Sequence, residues 1–247
     1  MGVAATKDWR LETQRNLRGV AFVRKPYRKL MAVDRLSLWF STGRDIDGLW
    51  VGTTESKPQP GLRRIEDALQ LIKHHDSLNY SRVIHNLERV WVHLLPDACA
   101  CYRASLKACV LDERFVLLET TTLEEIASTI VHEATHAKLE RWGISYDEKK
   151  RSRIEAVCLR RELNFISKLP HSEPSREKIA RTLEWCVSDH DYFSNQSFQQ
   201  RDHQGVVETL RYVGTPDWLI GFVLTVRAVV SGMRRLVQRF AGPPRQA

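Results

Sequence analysis

In the stretch "TIVHEATHAKLERWG" (129–143), His132 and His136 stand four residues apart, with Glu133 directly after the first. On a helix, residues four apart lie one above the other, so both imidazoles face the same way. That separation suits chelation of one small cation, with zinc–nitrogen bonds of about 2.0–2.1 Å. Glu133 lies about a hundred degrees round the helix, beside such an ion rather than bound to it. From there a carboxylate can hold a water activated by the ion and take its proton. A hydrolytic zinc centre uses three protein ligands and leaves one position for water. Glu155, nineteen residues after His136, is the candidate for the third ligand.

Two helices and a turn are needed to bring these side chains together. Thr121 precedes Glu124 by three residues and Thr122 precedes Glu125 by three, and either pair can form a capping box for a helix over about 123–141. Ile126, Ile130 and Ala134 recur along it at core spacing, and Gly143 can end it. Ser145 and Glu148 repeat the capping spacing and are expected to open a second helix running to about Lys168, before Pro170. If the two run antiparallel, a rise of about 1.5 Å per residue returns Glu155 to the level of the histidines. Ile154, Val157, Phe165 and Ile166 make an apolar stripe beside Glu155, where a carboxylate is costly unless paired or metal-bound. Glu140 and Glu162 are flanked by arginines and read as surface i,i+4 pairs.

The preceding chain reads differently. Residues 30–53 suggest short strands around turns at Thr42-Gly43 and Asp47-Gly48, and "TESKPQPG" (54–61) a linker. Leu62, Ile65, Leu69 and Ile72 give helical spacing over 62–75. His74 and His75 are adjacent, so they cannot face one metal from a regular helix. β-Branched and aromatic residues predict a strand at 87–95, and a further strand or hairpin at 107–119. Cys99-x-Cys101 lacks a matching pair, which argues against a structural zinc there. A helix is expected at 175–190. Strands followed by helices point to an α+β class. The chain divides into a basic arm with short strands (1–60), a central domain (61–216) and a basic amphipathic helix (217–247).

The charge of +8 favours an acidic contact, but no recognition module for nucleic acid is visible, so that partner is not expected. Five cysteines, an odd number, and a start without an apolar signal-like run favour a reducing, cytoplasmic setting. From Trp218 to Ala247 there is no Asp or Glu, and Arg227, Arg234, Arg235, Arg239 and Arg245 stand beside a stripe of Leu219, Phe222, Val223, Val226, Val230, Met233, Val237 and Phe240. Such a helix packs on a core or lies on an anionic membrane surface. Arg227 interrupts the run, which argues against a spanning helix. Nothing in the sequence sets an oligomeric state.

"HEATH" followed by eighteen residues and a glutamate resembles the gluzincin branch of zinc metallopeptidases, over roughly residues 107–168. No third histidine follows at metzincin spacing. The resemblance implies a zincin-like domain: strands, then an active-site helix, a ligand helix and further helices. It implies Zn2+ held by His132, His136 and Glu155, Glu133 as general base, and a peptide or protein substrate. It also implies that a strand ahead of the active helix, here 109–119, lines the cleft and pairs with extended substrate. Such families often use a Tyr or His to stabilise the oxyanion, and the candidates here are Tyr146, His190, Tyr192, His203 and Tyr212. Two rival readings are a zinc-binding protein without turnover and a basic membrane- or nucleic-acid-associated protein in which the motif is accidental.

Overall fold

Apolar residues that alternate along the short strands line two opposite faces of one sheet. The computed structural model describes residues 32–188 and 191–227, a mixed α+β arrangement with a five-stranded sheet. It begins with α1 (Ala32–Trp39), followed by β1 (Thr42–Ile46) and β2 (Leu49–Thr53). Then come α2 (Pro58–His75), α3 (Ser77–Asn86), β3 (Arg89–Val92), β4 (Ala100–Arg103) and β5 (Ala108–Leu111). The rest is helical: α4 (Glu113–Leu117), α5 (Leu123–Arg141), α6 (Arg151–Ile166), α7 (Glu173–Ser188) and α8 (Asn195–Tyr212). A further helix, α9, is described over 217–227.

The strand order is β1-β2-β3-β5-β4. β2, β3 and β5 run parallel, while β1 and β4 pair antiparallel to their neighbours and form the two edges. Val90, Val92, Cys109 and Leu111 face the main core with α2, α3, α5 and α6. Trp91, Ala108 and Val110 face the other side, a smaller cluster that Leu38 of α1 helps to cover. Trp91 donates its indole N–H to Ser41 Oγ at 3.1 Å, which satisfies its one polar atom.

Several elements differ from the sequence expectation, each for a local reason. The first part of the 30–53 segment is the helix α1, and only 42–53 is a hairpin, turning at Asp47-Gly48 with both residues at positive φ. The expected linker is shorter, because Pro58 and Pro60 sit in the opening turn of α2, where a missing N–H costs nothing. Helix α3 was not anticipated; its start is set by Asp76, whose side chain accepts from the Asn79 N–H. The 107–119 segment is strand β5 followed by α4, which Asp112 caps through the Arg114 N–H. β4 and α8 were also not anticipated. β1 and β2, assigned to the N-terminal arm by sequence, pair into the same sheet as β3. Residues 1–31, His190 and the tail beyond 227 lie outside the described residues.

Candidate metal centre

The site rests on the capping and packing of α5. Thr122, not Thr121, caps it: Thr122 Oγ1 accepts from the Glu125 N–H at 3.2 Å, and Glu125 Oε2 accepts from the Thr122 N–H at 3.1 Å. At the other end Gly143 has φ +76°, its N–H bonds Glu140 O, and the Ile144 N–H bonds Leu139 O. This is the αL C-terminal turn that favours glycine. The second expected capping box does not form. Ser145 Oγ instead bonds the Asp147 carboxylate, and Glu148 accepts from the backbone and side-chain amides of Asn195. A short 3-10 turn (Glu148–Lys150) therefore leads into α6.

α6 returns antiparallel beside α5. Ser128 and His132 meet Glu162, while His132 and His136 meet Glu155 one and two turns further on. His132 Nε2 lies 3.2 Å from His136 Nε2 and 3.2 Å from Glu155 Oε2, and His136 Nε2 lies 3.4 Å from Glu155 Oε1. Tetrahedral coordination at about 2.0–2.1 Å spaces neighbouring donor atoms by about 3.3–3.4 Å. Three lone-pair-bearing groups drawn this close fit a small cation between them. The Cys158 thiol, three residues after Glu155, belongs to the same buried group with His132 and His136. These side chains can hold a metal ion, and imidazole with carboxylate or thiolate suits several transition metals.

Hydrogen bonds around the three donors hold their orientation. His132 Nδ1 donates to Glu162 Oε2 at 3.1 Å, which leaves Nε2 free to act as a ligand, and Ser128 Oγ donates to Glu162 Oε1 at 3.1 Å. Tyr146 donates its phenol to Glu155, and its ring stands edge-on to His136 at 5.6 Å between centroids. Glu162 is thus a partner of His132 rather than a surface pair of the neighbouring arginines. Glu140 differs from expectation too: it accepts from Tyr102 of β4 at 2.8 Å. Val157, expected on the buried stripe, is 43% exposed, whereas Ile154, Phe165 and Ile166 are buried.

Electrostatics separate the two carboxylates. Burial would raise Glu155, but the two imidazoles outweigh it and hold the group down at about 2. Glu133 is fully buried, and neither of its oxygens accepts a closed hydrogen bond from the protein. The Tyr102 N–H lies near enough to favour its ionised form, yet burial dominates and pushes Glu133 up to about 8. The histidines move in opposite directions. Burial lowers both, but hydrogen bonds to Glu155 and Glu162 carry His132 well above the usual range, while His136 stays below it.

Comparison of the chain with protein families, with curated proteins and with solved structures yields no match.

The neighbouring strand also differs from expectation. β5 is paired on both sides, by β3 and β4, so it has no free row of amides for a substrate. Among the described residues, the edge strand on this side of the sheet is β4. At one end of it a cleft of about 40 Å³ reaches His136 between Tyr102, Leu139, Ile144, Tyr146 and Ile154. At the other end a cavity of about 250 Å³ opens between Cys99, Arg114, Arg201 and Gly205. There α8 approaches so closely that a Cβ on Gly205 would stand 1.7 Å from Pro96 O.

Among the oxyanion candidates, Tyr146 is the one brought to the ligand group. Tyr192 packs on Trp185 and Phe193, and His203 and Tyr212 are exposed. His190 lies outside the described residues. The partners missed by sequence reading had a signal: Glu162 and Cys158 follow Glu155 by seven and three residues, which is one face of a helix.

Proposed function

We propose that the protein is a zinc-dependent peptidase with a gluzincin-like, zincin-type catalytic unit. The observation that carries the reading is the triangle of His132, His136 and Glu155 donor atoms, spaced for one tetrahedral ion, with the unpartnered Glu133 carboxylate beside it. His132, His136 and Glu155 would hold the zinc. When bound, zinc supplies Lewis acidity that polarises a carbonyl and makes water a nucleophile near neutral pH.

The chain's own residues do the rest. An extended peptide pairs with the free edge of β4, which presents its scissile carbonyl to the site. Glu133 takes a proton from the attacking water and returns it to the leaving amine. Burial holds this carboxyl high in the metal-free protein, and a dication alongside makes it ionise more readily. Tyr146 orients Glu155, and Glu162 orients His132.

A specific observation favours a second reading. His132, Glu133, His136 and Glu155 are all between 0% and 5% exposed, and Cys158 lies in the same group. A site closed by a fourth protein ligand is the arrangement of a structural ion. Glu133→Gln separates the two. The peptidase reading expects wild type to cleave a quenched-fluorescent peptide library, and the variant to keep about one zinc per chain while losing roughly 100-fold or more in rate. Zinc in both proteins and cleavage in neither would support the structural ion instead. No zinc in either would remove both readings.

A further inference from the structure

The outer face of α5 meets α3 and α6 in a groove that the metal centre does not use. Its floor is apolar, formed by Val83, Val131, Ala134, Leu139 and Val157 around a hollow of about 70 Å³. Arg82, Lys138 and Arg161 stand on the rim. The hollow continues past Arg82, Lys138 and Trp142 into an open trough of about 470 Å³. Trp142 is 66% exposed, and the Lys138 ammonium lies 4.5 Å from its ring centre.

Three cations crowd this rim, where Arg82 donates to Asn79 Oδ1 at 2.9 Å and feels a partial attraction from Asp76. Among the described residues, no carboxylate lies within ion-pair distance of Arg82, Lys138 or Arg161. Burial and then repulsion from Arg161 hold Arg82 below its ordinary value, with the attraction of Asp76 too weak to offset them. Helix C-termini attract basic residues, which accounts for Lys138 and Arg141 in the last turn of α5, Arg141 also bonding His85 O and Asn86 Oδ1 at the end of α3. Arg82 and Arg161 sit a full turn or more before their helix ends, so this does not account for them.

We propose that the groove docks an acidic peptide segment of a protein partner, with one apolar side chain in the hollow and flanking carboxylates on Arg82, Lys138 and Arg161. The occupant follows from complementarity. Anions relieve the mutual repulsion of the cations, and the apolar floor takes an aliphatic side chain, which a nucleic acid does not offer. A bilayer would meet a convex or flat surface, and this one is concave. The docking site lies on a neighbouring face of α5, which holds none of the metal ligands, and its test does not depend on zinc or on turnover.

The test is fluorescence anisotropy of the full chain with a short fluorescein-labelled peptide alternating glutamate and leucine. Its glutamine counterpart and a single-stranded oligonucleotide of equal charge are measured alongside. The acidic peptide should bind at low salt and the glutamine peptide should not. Arg161→Glu and Lys138→Glu should each weaken binding by about tenfold or more. Arg161→Gln, which removes charge without reversing it, should give a smaller loss. Arg35→Glu makes the same charge change on α1 and should have no effect. Equal weakening by Arg35→Glu would overturn the site in favour of diffuse charge attraction. Tighter oligonucleotide binding with the same dependence on Arg161 would replace the peptide with a nucleic acid. Absence of peptide binding to folded wild type would end the proposal.

Discussion

On its inner face α5 places His132, Glu133 and His136 at 5% exposure or less, against the carboxylates of Glu155 and Glu162. On its outer face, a short way round the same helix, Lys138 stands with Arg82 and Arg161 in a groove that no carboxylate lines. Inside, the effective dielectric is low, so opposite charges must be matched by hydrogen bonds and the one unmatched group, Glu133, shifts strongly. Outside, water screens like charges, and three cations can be tolerated at small cost. One helix therefore carries a group arranged for a cation and a group arranged for an anion, and the difference predicts which substitutions matter.

The largest effect is expected from Glu155→Ala. Removing a donor from the buried triangle should lower metal affinity by more than the roughly 100-fold upper range for loss of an outer hydrogen-bond partner, read by elemental analysis of proteins purified side by side. Retention of wild-type metal content would instead shift the third donor to Cys158. Glu162→Gln should cost about 10–100-fold in affinity against a chromophoric chelator, because it frees the His132 ring to rotate and changes its tautomer. If Glu162 were a surface residue, the substitution would be silent.

The pH dependence has a definite sign. In the metal-free protein His132 holds its proton well above the ordinary histidine range, and a metal must displace that proton. Affinity should therefore fall at least about tenfold for each pH unit lowered while His132 is protonated, with at least one proton released per ion bound. Calorimetry in buffers of different ionisation enthalpy measures that release; ionisation of Glu133 beside the ion would add to it, and no proton release would contradict it. The smallest effect belongs to the outer face. Arg161→Gln should raise stability by a few tenths of a kcal/mol at low salt, and the gain should vanish at about 1 M salt. A loss of stability would mean that Arg161 has a structural contact that outweighs the repulsion.

Short-range signals in the sequence account for α5, though the same capping spacing at Ser145 and Glu148 forms no box. The capping residues of α5, the turn at Gly143 and the helical phase of His132 and His136 depend on neighbours three or four positions away. Glu162 differs from expectation because its flanking arginines suggest a solvated face, whereas the phase it shares with Glu155 turns it inward. β4 leaves a weak pattern in the sequence because it is four residues long and paired on one side only. Without β4, the interior strand β5 looked like the edge.

By itself the sequence determined the α5–turn–α6 unit, the identity of the two histidines and Glu133, and the basic character of the surface, since these follow from residue type and helical period. Only the tertiary structure decided how the donors meet, which strand has a free edge, and which cations lie together. Those depend on how helices and strands pack across residues far apart in the chain, where burial and the dielectric of the assembled core set the energy of each charge.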